Sequence, residues 1–357
     1  MNLFNKLVII ANIVLLILTI GAYLAPYFHP DTNILLTILG LVYSALLIAN
    51  VLFIIYWLLV NPKWAIGSFL VLLIGYQTVL GLVGFSLKNT GSNDKPTLKV
   101  ASFNMQLSMP IRRLKAKEKR VQRKKYEKYL GQFKSVDILC VQEHSNIGKK
   151  HITNVIDFPY RHYSKKNNFV ALYSKHPIIN KGSFANFSKS NAIDCIWADI
   201  LIKKDTIRVY STHLEANRKD GKVPKKVDLK AKEPPVDYTI ALGLLTFYQK
   251  FSSKRVDQAK RIKEHQENSP YPTIICGDMN DTPQSHVYKI LADGQKDSFR
   301  ARGSGIGATF GSTLKNKLAF LRIDYIFSHP DFTILDHQIF PDRFSDHYLI
   351  EASLRLD

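Results

Sequence analysis

Charge is nearly absent from the first quarter of the chain, and this restricts what that segment can become. Among residues 1–87 only Lys6, Asp31 and Lys63 are charged, and three almost wholly apolar runs cover 7–24, 34–60 and 64–87. Tyr43, Ser44, Asn50 and Tyr56 are among the few polar interruptions of the second run. Each run can cross about 30 Å of hydrocarbon as a helix, whereas strands would leave backbone N–H and C=O groups unpaired there. One such run alone would read as a secretory signal. A second and a third keep the chain in the membrane whether or not the first is cleaved. The sequence therefore predicts three transmembrane helices. None of the runs contains Asp, Glu, Lys or Arg, which argues against a transport pathway through them.

Orientation follows from the short loops. Pro26 to Asn33 contains no Lys or Arg, whereas Lys6 precedes the first run and Lys63 precedes the third, which places the N-terminus inside. Three crossings then put everything after Leu87 on the extracytoplasmic side of a plasma or inner membrane. Lys88, Lys95 and Lys99 pull the other way, but long domains translocate largely regardless of charge.

All but one unit of the net charge of +20 lies beyond residue 87. Such a balance favours anionic partners, whether nucleic acid, phospholipid head groups or phosphorylated small molecules, and the same lysines also serve a solvated surface. Cys140, Cys195 and Cys276 lie in or beside apolar strand-like runs without C-x-x-C spacing, so they are expected to be buried thiols. Lys88 to Thr97, rich in Gly, Ser, Asn and Pro, reads as a linker. The expected organisation is a membrane anchor at 1–87, a linker at 88–97 and a second domain at 98–357.

In that domain short strands alternate with helices. Strands are expected at 98–103, 138–141, 169–173, 193–202, 206–212, 321–327 and 348–356, with another from Thr273 that turns to loop at Gly277. A helix is expected over 117–134, where Tyr126, Leu130 and Phe133 share a face, and a basic one at roughly 254–268. Residues 216–254 read as an insertion, Lys-rich from Arg218 to Pro235 and more apolar from Ile240 to Phe251. It carries no legible chemistry and reads as a mobile surface loop or, as the alternative, a substrate-facing flap, the loop being favoured.

Polar residues recur where apolar strands stop: Asn104, Glu143, His213, Asp278, Asn280, Asp324, Asp346 and His347. If the backbone after Gly277 stays extended, Asp278 and Asn280 project from the same side. A carboxylate and a carboxamide so placed can orient a water and hold an oxygen of a tetrahedral group. The same residues would also make a surface turn bonded to its own backbone. Asp324 reads equally as an ion-pair partner of Arg322, and His213 by itself as a structural histidine. The recurrence at strand ends favours a shared site, because sheet rims are where such folds gather working groups.

Ser102-Phe103-Asn104, Val141-Gln142-Glu143, Ser211-Thr212-His213-Leu214, Gly277-Asp278-Met279-Asn280, Arg322-Ile323-Asp324-Tyr325-Ile326 and Ser345-Asp346-His347 resemble the ordered motifs of the endonuclease/exonuclease/phosphatase superfamily. This DNase I-like group includes apurinic endonucleases, neutral sphingomyelinases and inositol polyphosphate 5-phosphatases. The resemblance covers about 98–357 and implies an α/β chain, a four-layer α/β/β/α sandwich after the three transmembrane helices. It implies a hydrolase of phosphate esters using Mg²⁺, or Mn²⁺ in its place, with Glu143, Asn104 and Asp346 at the metal. Asp278 is then the group that orients and deprotonates water, Asn280 and His213 hold phosphoryl oxygens, and His347 is steered by Asp324.

The pattern departs from the family at Asn167-Asn168, where a glycine is more usual before Phe169-Val170-Ala171-Leu172-Tyr173-Ser174. No tyrosine matches the one that some apurinic endonucleases place near the phosphate, and the His213 motif is similar to the DNase and sphingomyelinase branches. The leading expectation is a membrane-anchored phosphodiesterase of endonuclease type. The alternatives are a sphingomyelinase-like phospholipid phosphodiesterase, an inositol or sugar phosphatase, and a non-catalytic basic module that docks anionic ligands at the membrane.

Overall fold

The computed structural model describes residues 3–86, 98–108, 115–164, 169–184, 187, 194–217, 238–311, 320–342 and 344–357. The expected linker 88–97, the Asn167-Asn168 departure and most of the basic insertion lie outside these.

The chain opens with helices Leu3–Leu24, Ile34–Leu41, Tyr43–Val60, Ala65–Ile74 and Tyr76–Val79. Asn33 caps the second, its side chain accepting from Leu36 N–H. Two segments are long and apolar enough to cross a membrane, Leu3–Tyr27 and Tyr43–Val60. The third expected span is not a continuous helix. Ala65–Ile74 has 10 residues, a rise of about 15 Å. It breaks at Gly75, against which the Tyr23 ring packs so closely that a Cβ would lie 2.1 Å from Tyr23 Cζ. Val83–Phe85 then becomes strand β1, paired antiparallel with β11 (Ser304–Ile306). A side-chain ladder ties the helices together: Asn12 donates to Ser68, Trp57 Nε1 donates to Asn12, and Asn50 donates to Thr19.

The remainder builds two six-stranded sheets. One contains β2 (Leu98–Asn104), β3 (Ile138–Gln142), β4 (Tyr160–Tyr163), β5 (Val170–Ser174), β13 (Phe332–Phe340) and β14 (Leu349–Leu356), ordered β13-β14-β2-β3-β5-β4. The other contains β6 (Ile178–Ser183), β7 (Asp194–Ile202), β8 (Asp205–His213), β9 (Thr273–Asp278), β10 (Lys296–Asp297) and β12 (Asp324–Ser328), ordered β10-β12-β9-β8-β7-β6. Their facing sides bury Val100, Ile138, Cys140, Leu172, Ile196, Val209, Ile274, Cys276 and Ile326 in one core. Helices Ala116–Leu130 and Asn146–Thr153, with the 3₁₀ turn Gly131–Phe133 between them, cover the outer face of the first sheet through Tyr126, Leu130, Phe133 and Ile152. Tyr238–Glu267 and His286–Ala292 cover the second through Val256, Ala259, Ile262 and Leu291. The layers are α/β/β/α, as expected. Central strands buried on both faces need continuous apolar runs, which is why the sequence displays them so plainly. All three cysteines are buried and unbridged.

Several boundaries differ from expectation, and the helix expected over 117–134 ends at Leu130, followed by the 3₁₀ turn Gly131–Phe133. The helix before β9 begins at Tyr238 rather than near 254, because the apolar segment of the supposed insertion is its first half; Phe251 is buried there. Strand β12 begins at Asp324 rather than 321, and Leu321 instead bridges Phe310.

The helical bundle sits against the second sheet's side of the sandwich. Arg322 Nη1 donates to Gly81 O, Gln249 Nε2 to Pro30 O, and Thr282 Oγ1 to Gly40 O. Gly40 is required by this approach, since a Cβ there would lie 2.4 Å from Gln284 O. The loop after the first helix and the segment after the last thus meet the sandwich, and the Pro62–Trp64 turn lies at the bundle's other end.

Candidate active site

Strand register assembles the candidate residues before any side chain is considered. In the second sheet Asp324 pairs with Asp278 across β12 and β9, and His213 pairs with Asp278 across β8 and β9. In the first, Asn104 pairs with Gln142, whose successor is Glu143, and β14 follows His347 after one residue. The two sheets present these ends at the same rim.

Asp278 is the centre of the group. Its Oδ2 accepts from Asn104 Nδ2 at 2.9 Å and lies 3.5 Å from His213 Nε2 and 3.7 Å from His347 Nε2. Glu143 Oε1 is 4.0 Å from His213 Nε2, and Asp346 Oδ1 is 4.0 Å from His347 Nε2. Asn104, His213, Asp278, Asp324 and His347 are all buried, while Glu143 and Asp346 keep partial exposure at the mouth. Seven of the eight candidate side chains therefore converge.

Asn280 is only half as expected. Its backbone is left-handed (φ 52°) rather than extended, and its N–H donates to Asp278 Oδ1. The carboxamide Nδ2 donates to Leu214 O at 3.0 Å. One carboxylate oxygen of Asp278 thus closes the local turn and the other faces the cluster. Glu143 and the run Gln106, Leu107 and Ser108 also have positive φ. Such strain costs about 1–3 kcal/mol per residue and persists where surroundings hold it. Here Leu107 N–H donates to Glu143 O and Met105 N–H to Gln142 O, which locks the two loops together.

His347 Nδ1 contacts Asp324 Oδ2 at 3.0 Å. Burial works against charge on this imidazole, but the carboxylates of Asp324 and Asp278 outweigh it and raise its pKa to about 10. Burial raises the pKa of Asp324, which lies wholly inside the protein. Arg322 is not its partner; the guanidinium pairs with Asp297 instead. Thr309, which sequence reasoning missed, donates to Asp324 Oδ2 at 2.6 Å, and Phe310 lies against the His347 ring at 4.7 Å. Their only signal was a short Ala-Thr-Phe-Gly run that makes isolated bridges to Leu321 and His347, too brief to show periodicity. Gln106, also missed, donates from Nε2 to Asp346 Oδ2 at 2.8 Å.

The donor set suits a hard divalent cation. Burial raises the pKa of Asp346, and the neighbouring Glu143 and Asp278 carboxylates add to that. Carboxylate oxygens crowded to this degree are relieved by an oxygen-coordinated dication. Ligand atoms of Asp278, Asp324 and His347 also lie within 4.8 Å of one another. The oxygens of Asp324 are already engaged by His347 and Thr309, whereas Glu143, Asp346 and Asn104 are further oxygen-bearing side chains that could hold a cation.

A four-layer sandwich with acids, amides and imidazoles at one rim defines a phosphoester-hydrolase class of fold and site. The chain belongs to the Endonuclease/Exonuclease/phosphatase family, whose sequence model matches residues 101–347. Residues 5–81 match a second model, described as a domain of unknown function (DUF8431). No curated protein matches. An endonuclease/exonuclease/phosphatase family protein from Bacteroides thetaiotaomicron is similar in structure, with 17% identity, 74% of this chain and 100% of that one covered, and a TM-score of 0.53. TDP2 from D. rerio, humanized by 14 mutations, shares 14% identity over 72% of this chain and 98% of its own, with a TM-score of 0.53. A mannosyl-6-phosphatase from Bacteroides thetaiotaomicron VPI-5482 shares 17% over 72% and 99%, with a TM-score of 0.50. At these identities the likeness is one of fold.

Proposed function

We propose that the chain is a membrane-anchored, Mg²⁺-dependent phosphoesterase that cleaves a phosphodiester by attack of water. The observation that carries this reading is the meeting of Asn104, His213 and His347 on one oxygen of Asp278. Glu143, Asp346 and Asn104 would hold the cation, with Mn²⁺ as its substitute. When bound it supplies charge neutralisation at the phosphate and a lower pKa for nearby water. Asp278 orients the water and takes its proton. His347, kept cationic and fixed in orientation by Asp324, faces the negative charge developing on the phosphoryl oxygens, and His213 holds another of those oxygens. Lys6 and Lys63 at the bundle end away from the sandwich support an extracytoplasmic catalytic domain.

The test uses the full chain in detergent with an aryl phosphodiester. Activity requires Mg²⁺ or Mn²⁺, disappears with chelator, and falls by orders of magnitude in Asp278→Ala and His347→Ala. Retention in both variants would refute the assignment. A screen across DNA, RNA, phospholipid vesicles and sugar phosphates then assigns the substrate. A second reading, cleavage of a phospholipid head group, is supported by the loop after Asp278, which rests on the helical bundle through Thr282 and Gly40. A reporter fused after Leu356 tests orientation, and a cytoplasmic signal would overturn it.

A further inference from the structure

A cavity of about 260 Å³ lies where the bundle meets the sandwich, lined by Tyr23, Tyr27 and Gln77 on one side and by Gln284, Lys289 and Arg300 on the other. It is separate from the active site, although its wall begins at Pro283, a few residues beyond Asp278. Two cations face it. Lys289 Nζ lies 5.2 Å from the Tyr27 ring centroid, and Arg300 is held by the Gln77 carboxamide. Among the described residues neither is matched to a carboxylate in an ion pair, and Asp293 is the acid on the wall.

The occupant must therefore carry an anion. A second observation, independent of charge, gives its source. Tyr27 and Tyr76 are exposed, as are Leu24 and Phe28 beside them. An aromatic collar at the end of apolar helices belongs at the head-group level of a bilayer.

We propose that this cavity binds an anionic phospholipid, with the phosphate between Lys289 and Arg300. The proposal rests on the reading of the bundle as a membrane anchor, and it does not depend on the reaction at Asp278. Because Pro283 and Gln284 belong to the loop that follows Asp278 and Asn280, the bound lipid braces that loop.

The full chain in a neutral detergent is titrated with phosphatidylglycerol, with phosphatidylcholine and with soluble glycerol phosphate, and the melting midpoint is followed. Phosphatidylglycerol raises the midpoint by about 2–4 °C at saturating excess, whereas the other two do not. Lys289 is on the surface, so Lys289→Gln folds; this variant, and the double variant with Arg300→Gln, lose the shift. Lys117→Gln with Lys119→Gln, remote on the sandwich, keeps it. Equal shifts with phosphatidylcholine or glycerol phosphate, or a full shift in the Lys289 and Arg300 variants, would overturn the site. Aryl phosphodiester hydrolysis is read in the same samples. Activity without lipid selectivity removes this proposal alone, and lipid selectivity without activity sustains it while removing the phosphoesterase reading.

Discussion

Asp324 and His347 come from different sheets, yet His347 Nδ1 sits 3.0 Å from Asp324 Oδ2, and Thr309 donates to that same oxygen. The carboxylate is thereby fixed from one side and fixes the imidazole on the other. Asp324→Asn keeps the size of the side chain but removes the charge that holds His347 as a cation. We expect kcat to fall by about 10²–10⁴-fold with little change in KM. Thr309→Val, which loosens the carboxylate without removing it, gives a loss of roughly tenfold. Steady-state kinetics on an aryl phosphodiester check both, and a Thr309→Val loss as deep as that of Asp324→Asn would contradict this ordering.

Gly277 is the residue that lets β8 and β9 deliver His213 and Asp278 side by side. Its φ is 149°, and a Cβ would lie 1.9 Å from Thr212 O. Gly277→Ala has to push the strands apart where they are paired in register, Thr212 with Gly277 and His213 with Asp278. The expected cost is about 3 kcal/mol or more, from the forbidden backbone region together with the clash. Chemical denaturation measures it, and any folded fraction should have lost activity as well.

Arg322 is a buried guanidinium where the bundle meets the sandwich: it pairs with Asp297 inside the sandwich and donates to Gly81 O in the bundle segment. Phe299 and Tyr325 rings lie 4.6 and 4.7 Å from it. Burial pushes the Asp297 carboxyl up, but Arg322 and the hydrogen bonds around it hold it below the usual range. Arg322→Met strands that carboxylate and should cost about 3–5 kcal/mol. Adding Asp297→Asn should recover part of the loss, because the unmatched charge is gone. Removal of residues 1–97 deletes the Gly81 acceptor and the β1 partner of β11, so the shortened domain should melt below the full chain in the same detergent.

The sandwich was legible because its central strands are buried on both faces and end in polar residues, as at Cys140 to Glu143 and Ile275 to Asp278. Register then did the rest: once His213, Asp278 and Asp324 terminate neighbouring strands, they must meet. What escaped the sequence depends on contacts distant in the chain. Val83–Phe85 looks like the end of an apolar span, and only its pairing with Ser304–Ile306 makes it a strand. Asn280 looks extended by analogy with the strand before it, but its left-handed turn is set by Asp278 Oδ1 and Leu214 O. Thr309 lies in no strand, so nothing periodic pointed to its bond with Asp324.

His337 gives a pH dependence that is separate from the site. It is buried, with Nδ1 at 2.8 Å from Ser298 Oγ and its ring edge against Phe299. Burial, reinforced by Arg322, lowers its pKa to about 3. In the unfolded chain a histidine titrates near pKa ~6.5, so between these values the unfolded state binds the extra proton. Stability is therefore intact above about pH 6.5 and declines as pH falls toward 3, by about 2 kcal/mol between pH 7.5 and pH 5. His337→Gln cannot take up that proton, so its midpoint should fall less than that of the wild type over the same interval. Parallel acid dependences in melting curves of the two proteins would show that His337 is not buried as the neutral form.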